Sequence, residues 1–175
     1  MQYQYINVEP LTASIGAVIS GVNLGEDLSE PVMTEIHAAW LEHLVIFFRE
    51  QHLSEQQHIA LGQEFGELHI HPAAPYRHEN PALMVVHTDA DSHRNNGEVW
   101  HSDVSADEKP PKASILYLQT VPETGGDTIW ANMYAAYEAL SGPIQELLGS
   151  LSARHEADYS GFYGEHKPQR KNPHA

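Results

Sequence analysis

Two apolar periods alternate in the first third of the chain. Val8 to Val22 reads as short strands broken by Gly16 and Gly21, with Ala17-Val18-Ile19-Ser20 the clearest of them. Val32, Ile36, Ala39, Trp40 and Leu44 then recur at helical spacing and predict an amphipathic helix over about 31–43. Ser29 stands where an N-cap is wanted, and Pro31 sits in the first turn, where its missing N–H costs nothing. Val45-Ile46-Phe47-Phe48 is a short unbroken apolar run, the signature of a buried strand. Ser54 and Gln57 have capping-box spacing and open a second helix through about Phe65, with Ile59, Leu61 and Phe65 on its apolar side.

The rest of the chain has shorter signals. Residues 66–80 are rich in His and Pro and read as loop. Ala82–Val86, Ala113–Gln119 and Thr128–Trp130 read as strands, and Asn96-Gly97 as a turn. Asn132 is placed to cap a helix over Met133–Leu140, and Pro143 begins another that carries Ile144, Leu147, Leu148 and Leu151. The tail from Gly164 is polar and without periodicity, a loop that no final element closes. Strands mixed with helices, with no repeat or linker, predict one α+β domain over residues 5–175.

Composition narrows the function. With 41% hydrophobic residues in 175, the chain is globular and long enough for a core. Its 24 acidic and 9 basic side chains leave a formal charge of -15, which argues against nucleic acid or an anionic membrane as partner. An anionic substrate would need a locally positive pocket. The absence of cysteine excludes disulfides and thiolate metal sites and fits a cytoplasmic location. No signal-peptide pattern opens the chain, and its longest apolar run, Leu44–Phe48, is too short to span a bilayer.

The chemistry starts at Trp100-His101-Ser102-Asp103-Val104. In an extended segment residues i and i+2 share a face, so His101 and Asp103 can reach one ion while Ser102 points away. Imidazole plus carboxylate is two thirds of the triad that holds non-haem Fe(II), and also suits Mn(II). With thirteen histidines present, His-x-Asp alone is a weak signal, and from the triplet alone a His–Asp hydrogen bond at a strand end is the preferred reading. Gly125-Gly126 in Thr124-Gly125-Gly126-Asp127-Thr128 permits a turn or a close backbone approach, with the Thr128 hydroxyl beside it. An ordinary hairpin has the same pattern.

Several segments, taken in order, resemble the TauD/TfdA family of Fe(II)- and 2-oxoglutarate-dependent dioxygenases. They are Ile15-Gly16-Ala17, Gly66-Glu67-Leu68-His69-Ile70-His71-Pro72, Trp100–Val104, Lys109-Pro110-Pro111, Thr124–Trp130 and Ala135–Ser141. The resemblance implies a double-stranded β-helix (jelly-roll) core with flanking helices. It implies that His101 and Asp103 bind iron, that Thr128 hydrogen-bonds a carboxylate of 2-oxoglutarate, and that His71 faces the acidic group of the substrate with Val104 near it. The implied reaction consumes O2 and 2-oxoglutarate, releases succinate and CO2, and hydroxylates the carbon next to the substrate's heteroatom. A small anionic substrate such as taurine or another alkylsulfonate would then fall apart to aldehyde and sulfite.

Two departures accompany the resemblance. The family's second His ligand and its 2-oxoglutarate-binding Arg are expected beyond residue 175, so the chain is expected to be the N-terminal part of a domain, C-terminally incomplete, inactive alone and with exposed strand edges. His155, His166 and His174 do not have the context of that distal ligand. Ala74 and Gly97 stand where the taurine-binding pattern has Tyr and Asn, which opens the substrate range to other sulfonates, alkyl sulfates and aryloxyalkanoates, with Tyr76 a candidate substitute. A non-catalytic jelly-roll remnant, or a related metal enzyme that does not use 2-oxoglutarate, remain the competing readings, and a homo-oligomer is open.

Overall fold

The computed structural model describes residues 2–71, 80–89 and 99–156. They fall in two compact units, one of residues up to Glu64 with Tyr117–Ser152, the other of Phe65–Leu116 with residues from Ala153 onward.

The first unit contains the sheet. Strand β1 (Asn7–Pro10) pairs antiparallel with β2 (Ala17–Ser20), Asn7 opposite Ser20. β2 pairs parallel with β3 (Ile46–Phe48), Ala17 opposite Ile46. A parallel neighbour requires a long crossover, and helix α1 (Glu30–His43) lies within it and packs on β2 and β3. The β1–β2 loop is closed by Thr12, whose hydroxyl donates to the Ile15 carbonyl at 2.6 Å and accepts from the Ile15 N–H at 2.9 Å. Gly16 has φ +91, a conformation in which side-chain-bearing residues are strained, and its N–H donates to the His43 carbonyl at the end of α1.

The core follows from the two periods. Ala17 and Ile19, two apart on β2, are buried, as are Met33, Ile36 and Ala39 on α1, joined by Ile6, Leu24 and Leu61. Full burial of a side chain such as Ile19 or Ile36 contributes about 1.5–3 kcal/mol. The stripe runs through Met33 where Val32 was expected, and β3, at the edge of the sheet, is half-buried where a fully buried strand was expected.

Helix α2 (Glu55–Glu64) opens as its capping box predicts: the Ser54 N–H donates to Gln57 Oε1 at 2.8 Å and the Gln57 N–H to Ser54 Oγ at 3.3 Å. Gln57 also donates to the Gly25 carbonyl at 2.6 Å. Tyr117 ties the 117–152 part to this unit; its hydroxyl accepts from the Leu53 N–H and donates to the Gln51 carbonyl, both at 3.2 Å. Helices α3 (Met133–Glu138) and α4 (Gly142–Gly149) follow, with no buried residue in either.

The expected strands over 82–86, 113–119 and 128–130 are a correction. None of these segments forms a ladder among the described residues, whose one sheet is β1-β2-β3, so the described residues do not show the expected jelly-roll. An apolar run specifies a face, but a strand exists only where another backbone takes up its N–H and C=O groups. Val85, Val86, Leu116, Leu118 and Ile129 are accordingly exposed. Asn96-Gly97, Ala74, Tyr76, His166, His174 and the tail from Gly164 lie outside the described residues.

Candidate functional site

The second unit carries the candidate metal ligands. Val99 and Trp100 lead into His101, and a turn follows at once, closed by the Asp107 N–H donating to the Val104 carbonyl at 3.1 Å. Val104, half-buried, holds φ +48, in the left-handed region that a β-branched residue rarely visits. Such strain costs on the order of 1–3 kcal/mol and concentrates at functional sites.

His101 and Asp103 converge. Nε2 of the ring lies 3.2 Å from Oδ1 of the carboxylate. Nδ1 lies 2.8 Å from the Val99 carbonyl, which can only accept, so Nδ1 bears the proton. With the proton there alone, Nε2 is an acceptor facing a carboxylate oxygen. Two acceptors so placed need a cation between them or a second proton on the ring. Donors on adjacent corners of an octahedral ion, at bonds of about 2.1 Å, stand about 3 Å apart. The pair thus fits two neighbouring positions of Fe(II) or Mn(II), and an N/O donor set without sulfur suits those ions. No group of three or more His, Cys, Asp or Glu able to hold a metal occurs among the described residues.

The other oxygen of Asp103 is also engaged. Ser114 Oγ donates to Oδ2 at 2.6 Å. A second pair lies in the same unit: His69 Nε2 and Asp107 Oδ2 are 3.0 Å apart and about three quarters shielded from solvent. It joins the segment that carries His71 to the turn that follows Asp103. His69 and His71 are half-buried with Ile70 exposed between them, the alternation of extended chain. At the head of this segment Gly66 has φ +132, and a Cβ there would meet Lys112 Nζ at 3.5 Å.

The structure brings His101 and Asp103 together. His71 and Val104 belong to the same unit, and Thr128 to the other. Thr128 is exposed, beyond a turn where Gly125 and Gly126 have φ +79 and +71, consecutive values that glycine adopts without strain. Trp130, two residues on, stacks edge-on against Phe47 of β3 with centroids 5.3 Å apart, which anchors the segment. Sequence reasoning missed Ser114, the Val99 carbonyl and the His69–Asp107 pair. An acidic residue four positions past Asp103 was a visible signal for Asp107; Ser114 had none.

The chain belongs to the taurine catabolism dioxygenase TauD, TfdA family, which it matches over residues 7–175. It is 40% identical over 164 residues to an alpha-ketoglutarate-dependent sulfate ester dioxygenase of Pseudomonas putida, covering 93% of this chain and 53% of the relative. It is 37% identical over 161 residues to an alkylsulfatase of Acinetobacter baylyi, covering 90% and 50%. A crystal structure of a taurine dioxygenase from Burkholderia xenovorans superposes with a TM-score of 0.73 at 37% identity, over 84% of this chain and 52% of that one. The chain spans about half the length of the curated relatives it matches. Among the described residues no helix is long and apolar enough to cross a membrane.

Proposed function

We propose that the protein works as an Fe(II)- and 2-oxoglutarate-dependent dioxygenase that hydroxylates the carbon next to the heteroatom of a small anionic substrate such as an alkylsulfonate. The observation that carries this reading is the convergence of His101 Nε2 and Asp103 Oδ1, with Nδ1 of the ring already committed to a backbone carbonyl, in a chain of this family. His101 and Asp103 would hold the iron. Thr128 would donate its hydroxyl to a carboxylate of 2-oxoglutarate. His71 would donate to the acidic group of the substrate, with Val104 against its carbon chain. The third protein ligand and a cation for the far carboxylate would come from sequence outside these residues, which would also supply the strands of a jelly-roll. When bound, iron with 2-oxoglutarate and O2 supplies the oxidation of an unactivated C–H bond. The protein's part is to hold donors and substrate in place and to exclude water.

A sulfate ester is the second reading. It is favoured by the names of the two relatives at 40% and 37% identity, while Ala74 and Gly97, which remove polar groups from the taurine pattern, leave other sulfonates, alkyl sulfates and aryloxyalkanoates equally open. The two chemistries leave different products. Hydroxylation beside a sulfonate breaks a C–S bond and releases sulfite, whereas hydroxylation beside a sulfate ester breaks a C–O bond and releases sulfate.

The test is succinate formation by the full-length protein with Fe(II), 2-oxoglutarate and a panel of taurine, alkylsulfonates, alkyl sulfates and aryloxyalkanoates. Substrate-dependent succinate is expected, and sulfite or sulfate identifies the class. His101→Ala is expected to abolish it, and turnover retained by that variant sinks the iron assignment.

A further inference from the structure

Asp103 has two oxygens, and the structure separates their tasks. Oδ1 faces His101 Nε2 at 3.2 Å. Oδ2 accepts the Ser114 hydroxyl at 2.6 Å, within the short range of hydrogen bonds to an ionised carboxylate. His101 is treated alike: Nδ1 donates outward to the Val99 carbonyl while Nε2 faces inward. In each ligand one atom is held by an outer partner, and the remaining atom points into the shared space. An unrestrained carboxylate rotates about its terminal torsion, whose preference is broad. It could then offer either oxygen, or both, to an ion. With Oδ2 tied to residue 114, eleven positions along the chain, rotation is checked and one oxygen is presented.

We propose that Ser114 is a positioning residue for the metal site, its hydroxyl setting the Asp103 carboxylate so that Oδ1 alone meets the ion beside His101. This rests on the reading of His101 and Asp103 as metal ligands. Partners of this kind govern metal affinity by about 10–100-fold when removed. Ser114 is exposed, so shortening it to Ala removes the hydroxyl with little loss of packing.

The experiment is a Co(II) titration of the metal-free full-length protein, followed by its visible absorption, for wild type, His101→Ala, Ser114→Ala, Ser114→Cys and Ser114→Thr. A thermal melt of each metal-free variant accompanies it. Ser114→Ala is expected to bind Co(II) about 10–100-fold more weakly with an unchanged melt, Ser114→Thr to restore binding by restoring the hydroxyl, and Ser114→Cys, a weak donor, to fall between. If Ser114→Ala binds like wild type while His101→Ala does not bind, the positioning role falls and the iron reading stands. Binding lost in the Thr variant as well makes the site intolerant of any change, and also overturns the proposal. If wild type shows no saturable Co(II) site, the iron reading itself falls. Should the Ala variant fail to fold, the order of wild type, Thr and Cys decides.

Discussion

Glu35 shows how much one half-buried side chain can organise. Its carboxylate accepts three successive backbone N–H groups, from Gln4 at 2.7 Å, Tyr5 at 2.8 Å and Ile6 at 3.1 Å, and so pins the segment before β1 to α1. Partial desolvation pushes its pKa up, but the three donors together outweigh it, and the carboxyl sits below the ordinary glutamate value of 4.5. Nearby, burial and the Glu42 carboxylate push Tyr3 up to about 12, because its hydroxyl donates to Glu42 at 2.9 Å. A depressed Glu35 favours the folded state fully above pH 4.5, and that contribution is lost as pH falls through the lowered folded value. Glu35→Gln keeps an acceptor oxygen but not the charge. It is expected to melt below wild type at pH 7, with the gap closing as pH drops through the acid range. Melting curves for both proteins over a pH series check this, and a gap that persists unchanged at the acid end refutes it.

At the level of the element, α3 is the most exposed test of local rules. Asn132 Oδ1 accepts the Ala135 N–H at 3.0 Å, the bond its N-cap position predicts. Its Nδ2 donates to the Ser14 carbonyl at 2.6 Å, so the same residue fastens the helix to the β1–β2 loop. Asn132→Ala is expected to cost about 1–2 kcal/mol in urea unfolding. Asn132→Asp keeps the cap but cannot donate to Ser14, and should recover only part of that loss; full recovery would mean the link to Ser14 contributes nothing. The contrast explains what was legible in the sequence. Ser54, Asn132 and Pro143 act on groups within four residues, so their spacing reveals helix starts directly. The runs over 113–119 and 128–130 name no partner, and strand formation depends on one. At the site, the i, i+2 spacing of His101 and Asp103 was readable, whereas Ser114 reaches Asp103 through a chain reversal that no spacing encodes.

Across the whole chain, exposed apolar surface and net charge oppose each other. Leu116, Leu118, Val121, Ile129 and Trp130 are exposed along one stretch, and Ile144, Leu147 and Leu148 along α4. Apolar surface gathered in this way favours association, and unpaired backbone at an edge gives it a template. Against this stands a charge of -15, which holds copies apart over the reach of the Debye length, about 30 Å in 0.01 M salt but only about 3 Å in 1 M. These 175 residues alone are therefore expected to sediment as smaller species at low ionic strength and to associate as salt is raised. Sedimentation velocity at fixed protein concentration over a salt series decides the matter. A monomer at every salt concentration would mean that the apolar segments are covered within one chain, and dissociation on adding salt would mean that charge pairing, not apolar contact, holds the copies together.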